Sequence, residues 1–253
     1  MINNRHMFHQ SLNLLFAALC FTVASARGEA TNAPAQALPA VAVARTYLAT
    51  TVTGLEKSWP TNHLVNIVCH GHSVVAGYFK TPEVRMFDAY PTLLHRSLCE
   101  KYPHAVVNVI VTAIGGENSE QGAARFQHDV LTLRPEVVTM DYALNDRKIG
   151  LARAEKAWRA MIEAALAAKV KVILLTPTAD LHATLDDPND PLNQQAAQIR
   201  RLAAEYQVGL VDSYTQFKNY VHYGGKLEDL MAQFNHPNRK GHELVAAELA
   251  KWF

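Results

Sequence analysis

The sequence predicts an α/β fold, with a five-stranded parallel sheet covered by helices on both faces. Three observations predict it. Short apolar runs rich in Val and Ile recur at 64–69 (LVNIVC), 105–111 (AVVNVIV), 136–142 (EVVTMDY), 170–175 (VKVILL) and 207–211 (QVGLV). Stretches of helical spacing lie between them, and strand–helix alternation over five units is the pattern of a parallel sheet. Polar and glycine residues cluster after the runs, where such a sheet places its sites.

Each run has the length and continuous apolar character of a strand buried on both faces. In 152–168, Trp158, Met161, Ile162, Ala165 and Leu166 recur at i, i+3, i+4, i+7 and i+8, which predicts an amphipathic helix. In 119–131, Ala123, Phe126 and Val130 share a face, and near the end of the chain Val245, Leu249 and Trp252 do so. Residues 42–57 read as a further helix before "SWPTN". No internal repeat is present.

The first 26 residues read as a secretory signal peptide, with Arg5 as the positive region, an apolar segment from Leu12 to Val23, and Ala24-Ser25-Ala26 as the small-x-small cleavage site. An uncleaved N-terminal anchor is the alternative. Cys20 lies outside a lipobox, because Leu19 stands where a small residue is needed. Residues 27–60 then read as an Ala/Pro-rich spacer with the leading helix, and 61–253 as the main domain. The expected location is secreted or periplasmic.

The 24 basic and 23 acidic residues of the chain are nearly balanced, and removing Arg5 balances them fully. A polyanionic partner needs a basic excess, so neither nucleic acid nor, after signal cleavage, a membrane surface is expected as a partner. Cleavage also removes Cys20 and leaves Cys69 and Cys99, too few for a disulfide framework. A single bridge and two buried thiols are both open.

The chemistry-bearing residues lie at the strand ends. Ser73 follows the first strand in His70-Gly71-His72-Ser73, and a serine becomes a nucleophile once a base takes its proton. Gly115-Gly116 in "TAIGGENS" lets the backbone approach a ligand and offer an N–H to a developing oxyanion. Asn145 in "DYALNDR" offers a side-chain amide to the same oxygen. His236 in "NHPNRKGH" is a general base by its ordinary pKa. His70 and His72, two apart on an extended chain, share a face, but no further Cys/His/Asp cluster completes a metal spacing. No metal or cofactor is therefore expected. Asp146 and Asp212 read as loop tethers or caps, and His242 as structural.

This arrangement resembles the SGNH hydrolases, the GDSL lipase/acylhydrolase family. Gly71 and Ser73 match the family's first block, "AIGGENS" with Gly116 the second, Asn145-Asp146 the third, and His236-Pro237-Asn238 with Gly241-His242 the fifth. The resemblance spans roughly 64–253. It implies a three-layer α/β/α flavodoxin-like fold, Ser73 as nucleophile, His236 as base, and an oxyanion hole of the Ser73 and Gly116 N–H groups and Asn145.

The sequence departs from the family pattern at three positions. His72 replaces the aspartate of the first block, Ala143 the glycine of the third, and Gln233 the aspartate of the fifth, which in the family orients the catalytic histidine. Gln233 can accept a hydrogen bond but carries no charge. Glu228, Asp229, Glu117 and Asp180 are the candidate acids to replace it, and a backbone carbonyl is the other candidate support for His236. The resemblance implies a secreted serine esterase acting on a small-molecule or saccharide ester, with carbohydrate O-acetyl esters as the substrate analogy favours. There is no long apolar insertion of the kind that makes a lipase lid. The alternative is a carbohydrate-binding, non-hydrolytic relative with a degenerate triad. Acyl length and oligomeric state are not legible.

Overall fold

The structure is a computed structural model that describes residues 40–253. The signal peptide expected over 1–26, and the spacer as far as residue 39, lie outside the described residues. Five parallel strands form the sheet: β1 (Leu64–Gly71), β2 (Val106–Val111), β3 (Val137–Asp141), β4 (Lys171–Leu175) and β5 (Gly209–Val211). Their order is β2-β1-β3-β4-β5, the flavodoxin-like arrangement. After β1 the chain leaves for one edge and returns to place β3 on the other side. The loops after β1 and β3 therefore diverge and open a crevice at the carboxyl ends of the two strands.

Alternation along β1 feeds two cores. Val65, Ile67 and Cys69 point into one and Val68 into the other, all fully buried. The first core is closed by α1 (Ala44–Tyr47), α2 (Ala49–Leu55), α4 (Tyr90–Lys101), α9 (Ser213–His222) and α10 (Arg239–Ala250). The second is closed by α5 (Ser119–Asp129), α7 (Leu151–Ala167) and α8 (Pro191–Glu205). Two short helices, α3 (Ser73–Ala76) and α6 (Ala143–Asp146), follow β1 and β3, and β6 (Met231–Gln233) pairs antiparallel with β7 (His236–Pro237).

The periodic residues of 152–168 occupy the second core, where Trp158, Met161, Ile162 and Ala165 are buried. Side chains such as Met161 and Ile162 each stabilise by about 1.5–3 kcal/mol when buried. Leu166, expected on the same face, is instead 38% exposed, because it lies one residue from the helix end at the edge of the buried stripe. The helix expected over 42–57 is two, broken at Leu48, and Leu48 and Leu55 are built into the first core. Residues 213–217, "SYTQF", which follow the expected cap Asp212, start the ten-residue α9, whose Tyr214 and Phe217 are buried. Asn118, Asp190, Asp212 and Asn238 cap α5, α8, α9 and α10, each worth about 1 kcal/mol. Cys69 is buried and Cys99 exposed, and both are free thiols, so neither the bridge nor the pair of buried thiols is found. Among the described residues no helix is long and apolar enough to cross a membrane.

Candidate active site

The turn after β1 is dictated by close packing. A Cβ on Gly71 would lie 2.4 Å from Val75 Cγ2 and 2.5 Å from the Asp141 carbonyl oxygen, so only glycine lets β1 end against β3. His72 is extended, and Ser73 opens α3 as its first residue. The chain then turns at Gly77, which has φ +85°.

The structure brings Ser73 and His236 together across 163 positions. Ser73 Oγ lies 2.9 Å from His236 Nε2, the geometry in which the serine hydroxyl donates to the imidazole. Both residues are nearly buried, at 6% and 4% exposure. His236 is held in β7. The following Asn238 caps α10 by accepting from Gly241 N–H, and its amide donates to the Asp229 and Met231 carbonyls. The "NHPN" motif thus anchors both the histidine and the next helix.

Asn145 sits on α6, beyond β3, and its amide donates to the Glu117 carbonyl at 2.8 Å. That bond ties it to the loop that carries Gly115 and Gly116. The two glycines serve different needs. A Cβ on Gly115 would strike the Tyr78 ring at 2.8 Å, whereas Gly116 has open space around it and φ +82°. Among the described residues, the turns and loops offer no acceptor to the Ser73 or Gly116 backbone N–H. Asp146 is a tether: its carboxylate accepts from Ser119 N–H at 2.8 Å and from the Trp158 indole at 2.7 Å. Its burial pushes its pKa up.

Behind His236 the expected acid is missing. Nδ1 is buried with no side-chain hydrogen-bond partner. Gln233 turns away: its carbonyl accepts from Thr81 N–H at 2.9 Å and its amide donates to Asn235 Oδ1 at 3.0 Å. It is spent on holding the 79–83 loop. Glu117 pairs with Arg125, Asp180 with Arg147, and Asp229 accepts from Tyr220 and Lys226. Among the described residues no carboxylate contacts His236. Burial and then the nearby His72 depress the His236 pKa, while the Phe79 backbone acts to raise it.

A different acid stands on the other side of the serine. His72 Nδ1 accepts from Val74 N–H at 3.3 Å and lies 3.4 Å from Ser73 Oγ, while Nε2 lies 3.4 Å from Asp141 Oδ1. Sequence reasoning placed Asp141 at a strand end but gave it no role. Its position follows from the register, which sets Asp141 opposite Gly71. His70 and His72 both approach the Tyr142 ring. His70 is nonetheless engaged at both nitrogens, with Thr112 Oγ1 at 2.8 Å and the Gly122 carbonyl at 3.1 Å. His242 accepts from Tyr90 N–H at 3.3 Å. Burial lowers the pKa of both His70 and His242 to about 4. A cavity of about 700 Å³ beside α1, α2 and the final residues includes no residue of this site.

A serine hydroxyl on an imidazole, at the switch point of a flavodoxin-like sheet and beside a glycine loop and a tethered amide, is the kind of arrangement a serine hydrolase uses. The chain belongs to the GDSL-like Lipase/Acylhydrolase family, whose model matches residues 69–244, a span holding Ser73, Gly116, Asn145 and His236. No curated protein matches the chain by sequence. Solved structures share its fold. A two-domain esterase (CEX) active on acetylated mannans is 18% identical with a TM-score of 0.69, over 85% of this chain and 54% of that one. The chain thus spans about half of that esterase. The acetylxylan esterase Axe2 of Geobacillus stearothermophilus is 20% identical with a TM-score of 0.65, over 74% of this chain and 93% of that one. LAE5, an alpha/beta hydrolase from the metagenome of Lake Arreo, Spain, is 22% identical with a TM-score of 0.64, over 74% of this chain and 94% of that one.

Proposed function

We propose that the protein is a serine ester hydrolase in which Ser73 is the nucleophile and His236 the general base. The observation that carries this reading is the 2.9 Å contact between Ser73 Oγ and His236 Nε2. Ser73 Oγ attacks the ester carbonyl carbon as its proton passes to Nε2. The carbonyl oxygen becomes an oxyanion, held by the Ser73 and Gly116 N–H groups and by the Asn145 amide. His236 returns the proton to the departing alcohol, and water, deprotonated by the same nitrogen, then releases the acid from Ser73.

Short acyl groups on saccharides are the substrate class. Neighbours of the same fold act on acetylated mannans and are named for acetylated xylan. Catalytic mutants of Axe2 replace a serine, a histidine and an aspartate three positions before that histidine. Here Ser73 and His236 are present and Gln233 has that third spacing. Exposed Phe234, stacked on His182 with ring centroids 5.0 Å apart, offers apolar ring surface two residues from His236. The export signal read at 1–26 fits an enzyme that meets its glycan outside the cell.

The test is hydrolysis of 4-nitrophenyl acetate and of acetylated xylan and mannan oligosaccharides by the wild type and by Ser73→Ala. Release of acetate by the wild type alone is the expected result. Binding of the oligosaccharides without any acetate release would favour a non-hydrolytic, carbohydrate-binding protein instead.

A further inference from the structure

Ser73 Oγ has a second imidazole beside it. His72 Nδ1, 3.4 Å away, accepts the Val74 N–H, so this nitrogen carries the lone pair and the ring proton is on Nε2. Nε2 faces Asp141 Oδ1 at 3.4 Å. The two side chains are 1% and 2% exposed, and neither atom makes a hydrogen bond, so the 3.4 Å approach is an ion-pair contact. The buried Tyr90 hydroxyl also faces Asp141; a buried imidazole N–H and an unpartnered carboxylate oxygen nonetheless gain by pairing. The resulting order is carboxylate, imidazole N–H, imidazole lone pair, serine hydroxyl. That is the order of acid, base and nucleophile in a hydrolase triad.

We infer that Ser73 is served by two bases, His236 directly and His72 with Asp141 as its acid. The inference rests on Ser73 being the nucleophile. His72 is a catalytic residue in this scheme, because it touches the reacting oxygen, and Asp141 is a positioning residue that acts through it. As Oγ bonds to an electrophilic carbon or phosphorus, its proton passes to His72 Nδ1. The ring becomes an imidazolium whose Nε2–H remains on Asp141, and Val74 N–H gives up its acceptor. The longer contact makes His72 the minor route, and catalytic hydrogen bonds are often loose until substrate binds. The acid lost at position 233 is thereby supplied from the opposite side of the serine.

A fluorophosphonate tests the base alone. Oγ–P forms, P–F breaks, the fluoride leaves without a proton, and the Oγ proton goes to the base. The second-order rate of Ser73 labelling is measured in the wild type and in variants. His236→Ala is expected to label about 10²–10³-fold more slowly than wild type. It should still label at least about tenfold faster than His236→Ala/His72→Asn or His236→Ala/Asp141→Asn. Asn at position 72 keeps an acceptor for Val74 N–H, and His72→Asp, the family's own residue there, repeats the comparison with the cap intact. Asp141→Asn should slow labelling in His236→Ala and add nothing once His72 is already replaced, whereas a purely structural role would add its effect in both. Equal rates for folded His236→Ala and its His72 double variants would overturn the inference. A wild type that does not label at all would instead overturn the assignment of Ser73 as nucleophile.

Discussion

On one side of Ser73, His236 sits 2.9 Å from Oγ with a buried Nδ1 that has no side-chain partner. On the other, His72 sits 3.4 Å away with Asp141 3.4 Å behind it. The nearer imidazole faces no carboxylate, and the farther one does. The difference teaches that a carboxylate can reach a serine site by sheet register where the spacing of the family motif supplies none. Position 233 lies on β6, where its side chain is spent on the Thr81 N–H. Position 141 lies on β3, where parallel pairing with β1 delivers a carboxylate beside the residue preceding the nucleophile.

The largest expected effect outside the serine and the two histidines lies on neither side. Asn145→Ala removes the proposed oxyanion donor and leaves both histidines in place, so kcat should fall about 10²–10³-fold with a smaller change in KM. Steady-state kinetics on an aryl acetate measure this. A loss confined to KM would remove Asn145 from the oxyanion site.

Gln233→Asp rebuilds the family's acid on the His236 side. It should raise kcat about tenfold and shrink the loss caused by Asp141→Asn, because the two acids then do the same work. A double-mutant cycle of these two substitutions reads the coupling. Strict additivity would mean that the two sides are independent.

The pH profile gives a smaller signal. Burial and the neighbouring His72 depress the His236 pKa. The base must be deprotonated to act, so kcat/KM should rise with pH through a limb whose midpoint lies below about 6.5, the ordinary histidine value. A midpoint at or above that value would mean that an acid supports His236 after all.

Stability follows the same physics at two histidines outside the chemistry. His70 and His242 have pKa values near 4 when folded. When unfolded they take up protons near the ordinary value of about 6.5. Between these limits the unfolded chain binds more protons, so stability is full at neutral pH and lost as pH falls toward 4. Each contributes on the order of 3 kcal/mol at most. Thermal melts should therefore shift down between pH 7 and pH 5, and His242→Gln should flatten that shift.

Much of this was legible in the sequence, because the determinants are local. The alternation in "LVNIVC" feeds two cores, the Gly71 turn exposes its own necessity, and the "NHPN" segment both presents His236 and caps α10. The polar strand ends pointed to Ser73, Gly116, Asn145 and His236, and the structure brings Ser73 and His236 into contact. What was not legible depends on neighbours distant in sequence. The role of Asp141 needs the register of β1 on β3. The direction of Gln233 needs the backbone of the 79–83 loop. α9 escaped notice because its buried Tyr214 and Phe217 follow a capping aspartate in a segment dominated by polar residues.

The most direct test of the account is the site of covalent capture. The wild type is incubated with a fluorophosphonate, digested, and the adduct located by tandem mass spectrometry. The account predicts one adduct, on Ser73, with none in Ser73→Ala and ester hydrolysis lost in parallel. An adduct on another residue, or ester hydrolysis that survives in Ser73→Ala, would contradict it.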